Sequence, residues 1–197
     1  MKVIGITGGV GSGKSAILQS IEKRSDSRVL YSDLVAKSLY TKGDACYKKI
    51  VDCLSQEILD EQGNIDKALM AKKMYSDRML IEAVNNIVHP AVKERILDTI
   101  QKERQDNKLK YFFVEAALLI EDGYLNIVDE MWYIHASVEV RKERLKASRG
   151  YSEEKIESIL KSQLSEEDFY NNCKVVIENS GLLEDAINQV NSILGEG

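Results

Sequence analysis

Gly8-Gly-Val-Gly-Ser-Gly13-Lys14-Ser15 stands between an apolar run, Lys2–Thr7, and a segment at 16–24 with Ile17, Leu18 and Ile21 on one face. The eight residues fit G-x-x-x-x-G-K-[ST] in full, and the flanks are those of a strand entering a loop that opens a helix. Each part has a physical reason. Glycines let the backbone curl so that its N–H groups point inward and form an anion nest. The helix start adds about half a positive charge. A lysine reaches the β- and γ-phosphates of a nucleotide, and the following hydroxyl coordinates Mg²⁺. The residues expected to hold Mg·ATP are therefore Gly8, Gly9, Gly11, Ser12, Gly13, Lys14, Ser15 and Ala16, with Ser15 also the metal ligand and Lys14 also catalytic. A chance match in a chain of this length occurs on the order of one time in a hundred, before the flanks are considered.

Outward from the loop, four more short runs read as strands: Val29–Asp33, Tyr111–Glu115, Met131–His135 and Lys174–Glu178. Their β-branched and aromatic cores suit strands buried on both faces. Helical patterns lie between most of them, at 90–104 with Pro90 in the first turn, at 151–163, from Ser165 in the S-x-x-D style, and at 182–194. Strands separated by helices imply a three-layer α/β fold with a five-stranded parallel sheet. The span between the second and third strands is too long for a plain crossover. Residues 39–106 are expected to form a helical insertion and 139–172 a mobile lid. Residues 1–38, 107–138 and 173–197 would then make the nucleotide-binding core.

Bulk properties narrow the partners. The 197 residues are 44% hydrophobic and 30% charged, with a net charge of −5. That is globular composition, and its sign disfavours sequence-independent nucleic-acid binding. Cys46, Cys53 and Cys173 are odd in number and lack C-x-x-C spacing, so reduced thiols are expected. With only His89 and His135 to add, a zinc site is not expected. No signal peptide or membrane-length apolar stretch is legible. A soluble, cytoplasmic, monomeric protein is expected, with no nucleic-acid or membrane partner.

Several side chains outside the loop suit phosphoryl transfer. Asp33, read as the end of the second strand, would face the ligand crevice at the carboxyl edge of a parallel sheet. There it could take the proton of an attacking hydroxyl or hold Mg²⁺ through water; capping a helix at Leu34 is the plainer role. Glu115 ends the third strand and is either a Walker-B-type acid or a solvated carboxylate. Arg144 and Arg149 lie in the lid region, where a guanidinium fork can stabilise the transferring phosphoryl; Lys142, Lys146 and Lys161 favour a simple solvated helix. A GTPase would need D-x-x-G after a strand and N-K-x-D beyond it. The first occurs only at Asp60–Gly63, within the insertion, and no N-K-x-D follows. The residues taken alone leave two classes open: a small-molecule or nucleoside kinase, or a regulatory nucleotide binder.

The chain also resembles the dephospho-coenzyme A kinase family over nearly its whole length. The similar stretches are IGITGGVGSGKSAI at 4–17, Tyr31-Ser-Asp33, the segment from Ile58 to Asp66, Asn86 to Pro90 with His89, Leu118-Leu-Ile-Glu121, Arg144, Gln163, and Val176-Ile-Glu-Asn179. Arg141 stands where the family commonly has glutamine. The resemblance implies transfer of the ATP γ-phosphoryl group to the ribose 3′-hydroxyl of dephospho-coenzyme A. It implies Asp33 as base with Arg144 and Lys14 as catalytic partners. Asn179 would lie with the nucleotide, and Asp33, Asp66, His89, Glu121 and Arg149 with the acceptor. His89 in a His-Pro step has a structural reading beside this one.

Overall fold

The computed structural model describes residues 1–116 and 118–195. Five strands form one sheet in the order β2-β3-β1-β4-β5: β1 (Lys2–Thr7), β2 (Ser27–Tyr31), β3 (Tyr111–Glu115), β4 (Glu130–His135) and β5 (Val175–Glu178). The pairs β1–β3, β1–β4 and β4–β5 are parallel. The fold is thus the expected α/β parallel sheet. The three central strands are buried on both faces, which is why VIGI, FFV and MWYI carry no alternation. β2 and β5 are edges and only partly buried.

The chain divides into two compact units, Met1–Leu30 with the chain from Glu103 onward, and Tyr31–Lys102. In the first unit, α1 (Lys14–Ile21) buries Ile17, Leu18 and Ile21, and α9 (Leu183–Leu194) buries Ala186, Val190 and Leu194. Each such side chain contributes roughly 1.5–3 kcal/mol by leaving water. Trp132 is fully buried, and its indole N–H is satisfied by Glu130 at 2.7 Å. Glu130 is itself buried and pairs with Lys2 at 2.8 Å, so the start of β4 is anchored to β1. Three helices follow β4: α6 (Val138–Arg149), α7 (Glu153–Lys161) and α8 (Glu166–Asn172). Each begins at a serine cap, Ser137, Ser152 and Ser165, the last in a full capping box with Asp168.

The second unit holds α2 (Ser32–Leu39), α3 (Ala45–Leu54), α4 (Lys67–Tyr75) and most of α5 (Arg78–Asp106). Asp44 caps α3 through Cys46 N at 2.8 Å, and Tyr47 donates to Gly63 O at 2.6 Å. Asp60 accepts from the amides of Gln62 and Asn64, so the D-x-x-G stretch is a turn held by its own aspartate.

Two expectations are corrected. Strand β2 stops at Tyr31, and Asp33 is not a strand end: it lies exposed in the first turn of α2. Val35 and Leu39, both buried and four apart, carry the helical period back over Ser32 and Asp33. An acid in that first turn also suits the helix dipole. Pro90 does not open a helix either; it lies inside α5. Val84, Val88, Val92, Ile96 and Ile100 form one buried stripe at spacing four that runs straight past it. Their burial outweighs the roughly 3 kcal/mol that an interior proline costs.

Candidate active site

A cleft of about 430 Å³ in the first unit is lined by residues 9–15 together with Glu115, Arg144, Leu145, Ser148 and Arg149. Strand β1 delivers the loop and α1 leaves it, with Gly13 as N-cap at φ 90°. Glu115 comes from the end of β3 and the arginines from α6, so the sheet's carboxyl edge and one helix face enclose the loop.

Some of the loop's carbonyls are held from within it and two, those of Val10 and Ser12, from outside. Gly8 O accepts from the Lys14 ammonium. Gly9 O accepts from Ser12 N at 3.1 Å, and Gly13 O from Ala16 N at 3.1 Å. Val10 O accepts from Arg141 Nε at 2.9 Å. Ser12 O accepts from Asn179 Nδ2 at 2.7 Å and from Arg144 Nη1 at 3.3 Å. A carbonyl turned outward turns the next amide inward, which is how such a loop presents N–H groups to phosphate. Two buried atoms at the same place, Ser12 Oγ and Asn179 Oδ1, have no hydrogen-bond partner among the described residues. Of the two, the Ser12 hydroxyl can donate to a phosphate oxygen and so fits a phosphate-bearing ligand, whereas Asn179 Oδ1 is an acceptor and does not.

Lys14 is half-buried as a residue, and its ammonium lies deep against Gly8. Burial pulls its pKa down to about 8; Glu115 pulls the other way, and Arg141 and Arg149 add to the fall. A lysine so placed is short of counter-charge, which a triphosphate supplies. Ser15 and Glu115 line the cleft with oxygen donors of the kind a hard divalent cation takes.

The cleft thus unites Gly9, Gly11, Ser12, Gly13, Lys14, Ser15, Arg144 and Arg149 from the sequence reading. Gly8, Ala16 and Asn179 border it through the bonds just described. Arg149 also lies 5.8 Å over the ring of Tyr151. Glu121 is exposed in the turn after β3 and does not line the cleft. Asp33, Asp66 and His89 belong to the second unit. Asp66 caps α4, accepting from Ala68 N at 2.7 Å and Leu69 N at 3.0 Å. His89 is exposed in the middle of α5.

The sequence reading gave Arg141 no role, yet it touches the loop directly. The signal was available: Arg141 precedes Arg144 by three, so both share the face of α6 that carries buried Leu145.

Comparison with known proteins bears on this cleft. The family model for dephospho-CoA kinase matches residues 2–185. The chain belongs to the dephospho-CoA kinase family. It is accordingly an ATP-using phosphotransferase. A dephospho-CoA kinase of Aquifex aeolicus is 35% identical over 196 residues, spanning 100% of this chain and 97% of the relative. One from Carboxydothermus hydrogenoformans is 30% identical over 194 residues, 98% of this chain and 93% of its own. The crystal structure of TT1252 from Thermus thermophilus superposes with a TM-score of 0.76 at 26% identity, covering 100% of this chain and 98% of that one. The sheet and loop are those of the P-loop kinase fold. Among the described residues no helix is long and apolar enough to cross a membrane.

Proposed function

We propose that this chain transfers the γ-phosphoryl group of Mg·ATP to the ribose 3′-hydroxyl of dephospho-coenzyme A, giving coenzyme A and ADP. Family membership supports the acceptor, and the cleft supports the chemistry. The observation that carries the reading is the convergence of Lys14, Ser15, Glu115 and Arg144 on one loop whose carbonyls are held outward.

Phosphoryl transfer passes through a loose transition state, so positioning and charge neutralisation dominate over proton abstraction. Inward amides and the Lys14 ammonium bind the phosphates. Arg144 stands on Ser12 O at the cleft wall, and its planar fork suits a phosphate oxygen. Ser15 with Glu115 would hold Mg²⁺, which supplies further neutralisation of phosphate charge. Asp33, two residues past β2, orients the acceptor hydroxyl and takes its proton late. The second unit holds the acceptor, with Asp66 and His89 as candidate contacts. Helices α6 to α8 act as a lid that excludes water and limits wasteful hydrolysis.

The test is ADP release from Mg·ATP with and without dephospho-coenzyme A, with the product examined by mass spectrometry. Acceptor-dependent release and a gain of one phosphoryl group at the 3′-position are expected. Release indifferent to the acceptor, by protein that binds ATP, would reject the proposal in favour of another acceptor.

A further inference from the structure

Val10 lies within the loop, and both of its backbone polar groups are held by side chains remote in sequence. Its carbonyl accepts from Arg141 Nε at 2.9 Å. Its amide donates to Gln163 Oε1 at 3.3 Å. Arg141 Nη2 donates to that same Oε1, closing a ring of three residues. Arg141 lies on α6 and Gln163 just beyond α7. The guanidinium fills the space over Gly9, where a Cβ would overlap it, and the Arg141 backbone lies against Gly11. Arg141 is partly buried, and burial lowers its pKa.

We infer that Arg141, acting with Gln163, is a positioning residue that fixes the two peptide units flanking Val10 and so presets the loop for the triphosphate. The inference rests on the loop being the ATP site proposed above. A guanidinium fork has two donors in one plane, which lets a single side chain hold a carbonyl and an amide oxygen together. The Gly9–Val10 peptide is held by its N–H and the Val10–Gly11 peptide by its C=O, so the units on both sides of Val10 resist rotation and the amide of Gly11, opposite the held carbonyl, keeps its aim without a ligand. Ordering the loop in advance removes an entropic cost from ATP binding. Because the grip comes from α6 and from the bend that follows α7, loop geometry and the position of those segments are coupled. No contact of Arg141 with substrate is needed.

The experiment measures Mg·ATP dissociation by calorimetry, together with kcat and both KM values. It compares the parent with Arg141→Met, Arg141→Lys, Gln163→Met, Gln163→Glu and the double methionine variant. Loss of a charge-assisted bond predicts about a tenfold rise in Kd and KM for ATP in Arg141→Met and Gln163→Met. The same rise is expected in Arg141→Lys, which keeps the charge without the fork. KM for the acceptor and kcat should stay within about threefold, since the grip is already made before transfer. The double variant should be little worse than either single one, because the three groups form one ring. Gln163→Glu keeps both acceptor contacts and should restore the ATP KM. A lysine as good as arginine, multiplicative losses in the double variant, or unchanged ATP affinity would overturn the inference. Failure of the parent to bind ATP at all would instead strike the functional reading. If Arg141→Met does not fold, the Gln163 pair decides alone.

Discussion

Replacing Lys14 with methionine should stabilise the nucleotide-free protein while abolishing turnover. Burial lowers the Lys14 pKa from 10.5 to about 8. A fall of that size corresponds to roughly 3 kcal/mol of strain against the charged form at neutral pH. Methionine keeps most of the stem's volume and carries no charge. It also gives up the bond from the ammonium to Gly8 O, which is worth about 1 kcal/mol. The net expectation is a gain of about 2 kcal/mol, or about 4–8 °C in Tm for a chain of this size. The pH dependence has a definite sign. Between about pH 8 and 10.5 the unfolded lysine keeps its proton while the folded one has lost it. The unfolded state then binds more protons, so the parent's stability rises with pH across that window. The advantage of Lys14→Met should be full below pH 8 and shrink towards nothing near pH 10.5. Urea unfolding of both proteins at intervals from pH 7 to 10 measures it, and Mg·ATP should raise the Tm of the parent far more than that of the variant. A variant no more stable than its parent at pH 7, with a gap that ignores pH, would refute the account of Lys14 as a buried charge awaiting phosphate.

Three further outcomes are expected. Asp33→Asn should cut kcat at least a hundredfold with ATP affinity largely unchanged; a near-parental rate would end its assignment as base. Gly13→Ala should abolish ATP binding by calorimetry and lower stability by about 2–3 kcal/mol, since φ at 13 is 90° and a Cβ there would overlap Asn179 Nδ2. Pro90→Ala should raise Tm by about 6–12 °C in thermal melts, restoring an interior helical N–H; an unchanged or lower Tm would show that α5 packs around the break.

Local signals in the sequence were enough for the central strands and the loop. β1 and β3 have the expected ends because an apolar run bounded by glycines or charges leaves one solution. Errors arose where two local signals competed. At Tyr31-Ser-Asp33 a strand run meets a helical period, and Val35 with Leu39 decided for the helix. At Pro90 a local breaker meets a stripe of five buried residues spanning 84–100, and packing won. The loop was legible because its function is written in consecutive residues. What surrounds it was less so, because Arg141, Gln163 and Val10 meet across 22 to 153 positions of chain. His135 is a similar case: it bridges Glu166 of α8 and Glu178 of β5, a pairing that no spacing in the sequence suggests.

These outer residues have a common task, and it explains why arginine and asparagine occur there. A loop that aims its amides at phosphate must aim carbonyls elsewhere, and a buried carbonyl without a donor costs about 1–3 kcal/mol. Water is a poor partner for them, since the lid closure proposed for α6 to α8 would remove it from the carbonyls too. The protein supplies donors that carry no competing acceptor at the point of contact: Arg141 for Val10, Arg144 and the Asn179 amide for Ser12, and Lys14 for Gly8. Three of the four are cationic, so the groups that hold the carbonyls outward also raise the positive potential in which a triphosphate sits. On the proposed reading Lys14 and Arg144 would exchange their carbonyl for a phosphate oxygen when ATP arrives, whereas Arg141, also bonded to Gln163, would keep its own. The division proposed is thus between mobile cations that would follow the ligand and a fixed one that would keep the loop in shape while they move.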